Sequence, residues 1–378
     1  MGKIGILTFH YSNNYGAVLQ CLALQKTLES KGFNVEVLNY IPSNYKSTKI
    51  INSLGIRKNI FKNKREDLNI IKILKKIKLK KIFNTKIIEK FNKFRELELN
   101  LGKEVDENSL KSILCEYETI IVGSDQVWNP GQRNKPEYFL DFGNIFNGKK
   151  ISYAADSTNK EISSISRKKL EKSLNDFYSI SVRNKHSYEF VKSLINKDVS
   201  IVADPTILYD FEKIKMKKVE NDEYILVYVL GKEIKGSHEK AIEKIKKIYG
   251  CLPVYSIKIP TMNFKLCNCV DKVFYDLGPD EWLKMINNAK FIYTDSFHGA
   301  LFSLKYHKPF LAYYVERMRA SRFIDLGKRY NVQKYIVENV QDIDKKKSLV
   351  TALDFNTIDK LLKEHKKISM EYLEKSLS

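Results

Sequence analysis

The sequence predicts an α/β protein of two domains, each a parallel sheet flanked by helices, facing one another across a cleft. Three observations carry that prediction. The chain has 378 residues, more than one ordinary hydrophobic core accommodates. Short apolar runs alternate with amphipathic stretches of helical length, and the alternation occurs twice over. Polar or charged residues recur at the carboxyl ends of these runs, where open parallel sheets bind their ligands.

The first unit opens with a strand at Lys3–Thr8 and the loop Phe9-His10-Tyr11-Ser12-Asn13-Asn14-Tyr15-Gly16. A helix follows from about Ala17 to Ser30, ended by Lys31-Gly32, and then the strand Val35–Leu38. The Asn-rich loop is neither a GxGxxG nor a P-loop, so its phosphate signal is weak alone. Thr119–Val122 is a buried strand running into Gly123-Ser124-Asp125-Gln126-Val127-Trp128-Asn129-Pro130. Ile151–Ala155 and Ser179–Arg183 are further strands, separated by a helix at Ser163–Asn175. Ile201-Val202-Ala203-Asp204-Pro205-Thr206 then leads into a charged connection ending near Glu223.

The second unit runs strand Tyr224–Leu230, helix Ser237–Tyr249, and strands Pro253–Ile257 and Lys272–Tyr275. Gly278-Pro279-Asp280-Glu281 starts a helix over Trp282–Asn288, with proline and acids in its first turn. A strand at 291–294, a helix at 300–306 and the strand Phe310–Tyr313 follow, and a last amphipathic helix covers 356–376. The expected domains are 1–210, with a basic helical insertion at about 46–100, and 222–345; the final helix, 355–376, packs back across them. Two facing Rossmann-like domains of this kind describe a GT-B-like architecture.

A hydrophobic content of 43% belongs to a globular chain, and no run approaches the ~20 apolar residues of a membrane span. The N-terminus begins on a strand with no signal-peptide pattern, so a cytoplasmic location is expected. Cys21, Cys115, Cys251, Cys267 and Cys269 are odd in number and scattered, which argues against a disulfide framework. No His/Asp/Glu cluster has ligand spacing, so neither a metal nor another cofactor is expected.

The net charge is +21, yet 56 of the 66 basic residues are lysine, a pattern typical of AT-rich coding. About half the excess lies between Arg57 and Lys93, where 14 Lys/Arg face three acids. Ile70, Ile73, Leu74 and Ile77 fall there at helical spacing, making a basic amphipathic helix. It suits either a solvated face packed by its apolar stripe or peripheral contact with an anionic membrane at its inner face. No specific nucleic-acid binding is expected. Arginine is scarce, so Arg183 and the group Arg317, Arg319, Arg322 and Arg329 point to bidentate recognition of carboxylate or phosphate.

The most informative stretch is Thr294-Asp295-Ser296-Phe297-His298-Gly299, a strand-to-helix turn. Backbone N–H groups and a helix dipole favour an anion there. A histidine in such a turn also serves as a plain cap or crevice filler; the rest of the chain favours function.

Asn13-Asn14-Tyr15-Gly16-Ala17-Val18-Leu19-Gln20, Val122-Gly123-Ser124-Asp125-Gln126-Val127-Trp128-Asn129, Ser181-Val182-Arg183, Asp204-Pro205-Thr206, the 294–299 turn and Ser321-Arg322-Phe323 occur in this order. Together they resemble the polysaccharide pyruvyl transferase family, from about residue 3 to 340. Two places depart from the family pattern. Asp156-Ser157-Thr158 follows the Ala-Ala pair in place of a small residue and glycine, and Asn184 stands where an acid is frequent.

The resemblance implies transfer of pyruvate from phosphoenolpyruvate onto two hydroxyls of a sugar or lipid-linked glycan in a cell-wall or capsular precursor. A ketal forms and phosphate is released, with phosphoenolpyruvate as co-substrate. The family's donor-binding basic and histidine positions match Arg183 and His298. A small dianionic donor needs a subsite for each charged group. Arg183 suits one end; Ser296, Gly299, Arg322 and Arg317 suit the other.

His298 is the candidate general acid or phosphate stabiliser, and Asp125 the candidate base for the acceptor hydroxyl. Asn14, Gly16, Ser124 and Asn129 are candidate acceptor- or phosphate-binding residues, although turn asparagines are common in any fold. Replacing His298 or Arg183 by Ala is expected to abolish transfer with the fold intact. The alternatives are a GT-B glycosyltransferase with a nucleotide-sugar donor and a non-catalytic protein that binds anionic polymers.

Overall fold

A computed structural model of the chain describes residues 2–43, 45, 85–129, 135–158, 164–214, 223–258 and 269–378. Its strands form two six-stranded parallel sheets, and their apolar runs are why: a strand covered by helices on both faces needs no polar alternation. The first sheet comprises β1 (Ile4–Leu7), β2 (Val35–Val37), β3 (Thr119–Val122), β4 (Lys149–Ala155), β5 (Ser179–Val182) and β6 (Val199–Ile201), in the order β2-β1-β3-β4-β5-β6. The second comprises β7 (Ile225–Tyr228), β8 (Val254–Ile257), β9 (Lys272–Phe274), β10 (Phe291–Thr294), β11 (Phe310–Tyr313) and β12 (Ile336–Val337), in the order β12-β11-β10-β7-β8-β9.

Register decides where the loops emerge. Leu7 pairs with Val122 and Thr294 with Tyr228, so neighbouring strands end level with one another. The strand order reverses between β1 and β3 in the first sheet and between β10 and β7 in the second. Parallel sheets open a ligand crevice at such a reversal. The Asn-rich loop and the Asp125 loop leave one reversal point, and the His298 turn leaves the other.

The two sheets are joined through aromatic side chains. Tyr15, the first residue of the Tyr15–Glu29 helix, is fully buried and stacks on Trp282 with ring centroids 5.3 Å apart. Its hydroxyl donates to the Leu277 carbonyl at 2.9 Å. Residues 85–98 are helical and add Ile87 and Phe91 to the same core. The Phe355–Leu377 helix, roughly 34 Å long at 1.5 Å per residue, touches both sheets' layers. Ser369 Oγ accepts from the Ala203 N–H at 2.8 Å, Tyr372 donates to the Ser152 carbonyl at 2.8 Å, and His365 meets Tyr330 at 2.8 Å.

Several elements differ from the sequence expectation. The Tyr15–Glu29 and Phe297–Lys305 helices start earlier because Asn14 and Ser296 cap them, accepting from the N–H groups of Ala17 and Gly299. The helices Lys185–Lys192, Arg317–Arg329 and Val340–Lys345 and the short strands β6 and β12 add to the elements expected from the sequence. Cys269 is disulfide-bonded, unlike Cys21, Cys115 and Cys251. The amphipathic stripe of Ile70, Ile73, Leu74 and Ile77 lies outside the described residues. Among the described residues, no helix is long and apolar enough to cross a membrane.

Candidate functional site

The carboxyl ends of the strands bring the candidate residues together at the domain junction. Arg183 follows β5 and is 3% exposed. Its Nη1 donates to Asp204 Oδ2 at 2.8 Å; its Nη2 donates to Asp156 Oδ2 at 2.5 Å and lies 3.3 Å from Asp125 Oδ1. Each acid ends a different strand connection of the first sheet. Burial alone would discharge this arginine, yet Asp156, Asp125 and Asp204 hold its pKa above the usual value. Burial likewise opposes charge on Asp156, but Arg183 and Arg322 bring its pKa down to about 2. The sequence marked Arg183 as a solitary cation; the structure places it inside a cage of three carboxylates.

That cage changes one expectation. A guanidinium offers five N–H donors, and here the Nη groups are spent on protein acids. The Nε atom of Arg183 is buried and has no hydrogen-bond partner among the described residues. Removing the side chain would strand three carboxylates, so Arg183→Ala perturbs the fold as well as any substrate contact. The two departures from the family pattern also meet here: Asn184 Nδ2 donates to Asp156 Oδ1 at 2.9 Å. The carboxylate missing at 184 is matched by one at 156, beside the same arginine.

His298 occupies the first turn of the Phe297–Lys305 helix and is 7% exposed. Its Nε2 lies 3.4 Å from Asp204 Oδ2, within ion-pair distance and off hydrogen-bond alignment. Its Nδ1 faces Gly16 across the domain junction, where a Cβ would stand 2.0 Å away. Only glycine permits that approach. Burial opposes charge on Asp204, and His298 and Arg183 hold its pKa well below the usual carboxylate range. Phe297 is flanked by two cations, with the Arg183 and Arg322 guanidiniums 4.6 and 5.9 Å from its ring centre.

The remaining candidates have structural partners. Gly299 donates its N–H to Ser296 Oγ at 3.2 Å, and Ser296 donates its own to Thr294 Oγ1 at 3.0 Å, so two donors of that turn are already used. Ser124 is fully buried; its hydroxyl donates to Ala154 O and its N–H to Gln20 Oε1. Asn129 Oδ1 accepts from the N–H and hydroxyl of Thr158. Asp125 adopts a left-handed φ of 73°, which turns its carboxylate toward Arg183 with 16% of the side chain exposed. Gly123, with φ of 114°, has the Tyr153 carbonyl where a Cβ would sit, so the Asp125 loop needs glycine. Arg317 begins the Arg317–Arg329 helix, and its side chain lies outside the described set.

A cavity of about 20 Å3 lies beside these groups, bounded by Arg183, Asp204, Phe297, Arg322, Arg329 and His365. It has room for one water. Arg329 is paired with Asp325 at 2.8 Å and meets His365 Nε2 at 3.2 Å. Burial, helped by Arg329, pushes the His365 pKa down to about 3, so the ring is neutral and Nε2 accepts from Arg329. Nδ1–H then donates to the Tyr330 oxygen at 2.8 Å. Sequence reasoning missed Arg329 and His365 as cavity residues because they come from elements it did not connect. The sequence assigns no individual role to Asp156 and Asp204, which stand at strand ends.

The polysaccharide pyruvyl transferase sequence family matches residues 14–317 of this chain. No curated protein sequence matches. Among solved structures, UDP-GlcNAc 2-epimerase from Neisseria meningitidis bound to UDP-GlcNAc is similar at a TM-score of 0.52 and 11% identity, covering 99% of this chain and 100% of that one. UGT89C1 from Arabidopsis thaliana complexed with UDP-L-rhamnose is similar at 0.51 and 12%, covering 99% and 97%. UDP-N-acetylglucosamine 2-epimerase from Rickettsia bellii gives 0.50 and 11%, covering 99% and 95%. At such identities the likeness concerns the fold, two Rossmann-like domains in a GT-B-like arrangement.

Proposed function

The chain belongs to the polysaccharide pyruvyl transferase family, and on that premise we propose that it moves pyruvate from phosphoenolpyruvate onto two hydroxyls of a sugar in a cell-surface polysaccharide precursor. One observation supports the reading above the others: His298 of the second domain rests against Gly16 and Asp204 of the first, beside a ring flanked by Arg183 and Arg322. A donor bearing both a carboxylate and a phosphate calls for cationic groups from two directions.

In the proposed reaction the donor's methylene carbon gains a proton while the first sugar hydroxyl adds to the central carbon. The C–O bond to phosphate then breaks, and the second hydroxyl closes the ketal. Each hydroxyl loses one proton: one is balanced by the new methyl group, the other leaves with phosphate. His298 supplies or steadies a proton at the donor, and Asp125, the most exposed acid of the cage, takes one from the acceptor. Arg322 and the unpartnered Nε of Arg183 face the donor's charges; Asn14 and Asn129 contact the acceptor.

A cavity of about 20 Å3 is far below the several hundred Å3 of a typical ligand pocket. A donor lodged there would need the cavity to widen, and parting of the domains at the Gly16–His298 contact would expose His298 to it. Where the acceptor is lipid-linked, residues 57–93 would meet the inner face of an anionic membrane. Ile87 and Phe91 belong to the core, so a deletion testing that contact should span 57–84 only. Loss of vesicle co-sedimentation with retained turnover is the expected result.

Calorimetry with phosphoenolpyruvate, followed by phosphate release in the presence of sugar acceptors, tests the function. Donor binding by the wild type and its loss in His298→Ala are expected. Binding of UDP or GDP without phosphoenolpyruvate would replace the reading with a glycosyltransferase. Binding of neither, with retained affinity for anionic polymers, would leave a non-catalytic protein.

A further inference from the structure

Asp204 touches both halves of the candidate site. It follows β6 and caps the Pro205–Leu208 helix. Its Oδ1 accepts from the Thr206 N–H at 3.1 Å and the Thr206 hydroxyl at 2.7 Å, while Oδ2 accepts from Arg183 Nη1 at 2.8 Å. These donors fix the plane of a carboxylate whose side chain is 1% exposed. Oδ2 is thereby held 3.4 Å from His298 Nε2. Among the described residues, the other ring nitrogen has no acid paired with it, and it faces the backbone of Gly16.

An ionised carboxylate attracts an N–H and repels a lone pair, so the nitrogen beside it keeps the proton. We propose that Asp204 is the positioning residue of this site, holding the ring proton of His298 on Nε2 and leaving Nδ1, on the Asn13–Gly16 side, as the nitrogen that exchanges a proton with substrate. The substrate part rests on the pyruvyl-transfer reading; the placement of the proton does not. Parting of the domains at Gly16 would then uncover the working nitrogen while Asp204 keeps hold of the other.

The test is nitrogen NMR of the full chain labelled with 15N-histidine, with His298 assigned from the signal lost in His298→Asn. At alkaline pH wild type is expected to show a protonated Nε2 and a bare Nδ1. Asp204→Asn removes the charge that keeps the proton on Nε2 while an amide oxygen can still accept from Arg183 Nη1. The preference for the Nε2-protonated tautomer should weaken, and kcat should fall by about 10³-fold or more with KM little changed, as befits a misdirected imidazole.

Asp156→Asn also removes a carboxylate from Arg183, but Asp156 is bonded to Arg183, Asn184 and Ser187. That variant should keep Nε2 protonated. A neutral wild-type ring protonated on Nδ1, or an Asp204→Asn variant with the wild-type tautomer preference undiminished, overturns the proposal. Should Asp204→Asn fail to fold, the wild-type spectrum decides alone. The expected tautomer with no pyruvyl transfer would sink the functional reading and leave the positioning role standing.

Discussion

Replacing Gly16 by Ala puts the domain junction to a direct test. Gly16 lies in the first turn of a helix, where alanine is favoured over glycine by about 0.5–1 kcal/mol. Its added methyl, however, would stand 2.0 Å from His298 Nδ1, 2.4 Å from Cγ and 2.6 Å from Cε1. Real Cβ contacts essentially never fall under 3.0 Å, so the ring or the loop must retreat. The retreat is about 1 Å, a displacement that commonly costs about 10²-fold in rate.

Overpacking costs about 1–3 kcal/mol, and the gain in helix propensity offsets part of it. The net destabilisation is about 0–2.5 kcal/mol, so the melting temperature should fall by only a few degrees. Activity is thus expected to drop far more than stability. Phosphoenolpyruvate-dependent phosphate release and thermal unfolding, measured on the same preparation, read the two effects. Turnover within a factor of about two of wild type would refute the reasoning, since it would mean that the ring does not rest on Gly16 in the reactive state.

Other perturbations follow from the same geometry. Arg183→Lys replaces a fork that reaches three acids by a point charge, and Arg183→Ala leaves the acids unpaired; denaturant titration should show a loss of about 3–5 kcal/mol for the alanine variant. His10 and His238 have pKa values pushed down to about 4, and His365 to about 3, chiefly by burial. They stay neutral in the fold while the unfolded chain binds protons below about pH 6.5. Their contribution is therefore complete above that pH and is lost as pH falls toward 4 and then 3. Urea midpoints at pH 8 and pH 5 should differ accordingly, and His365→Gln should flatten the slope. Asp156, depressed to about 2, contributes on the order of 2 kcal/mol that is present above about pH 4 and lost as pH falls to 2; Asp156→Asn should remove that step from an acid titration of stability.

Much of the fold was legible because burial leaves a plain record in a chain. Ile4–Leu7, Thr119–Val122 and Phe291–Thr294 are covered on both faces and read as unbroken apolar runs. Glycine, asparagine and serine at their carboxyl ends marked turns, and His298, Arg183 and Asp125 were found there. Elements whose stability comes from tertiary contacts left a weaker record. The Arg317–Arg329 helix showed in the sequence as an arginine cluster, although Phe323 and Leu326 bury one side of it. Two-residue β12 gave no pattern at all.

The sequence by itself determined the two parallel sheets, the turns that end their strands and the family, because each depends on local residue type and spacing. Tertiary structure alone decided who meets whom. Asp125, Asp156 and Asp204 are up to 79 positions apart and converge on one guanidinium. Gly16 and His298 come from different domains, each beside the strand-order reversal of its own sheet, and they touch. Arg183 looked like an open anion clamp when read along the chain, since neighbours in sequence reveal nothing of carboxylates brought in by other strands. Electrostatic partnership is a property of distance in space, and the parallel crossovers set that distance.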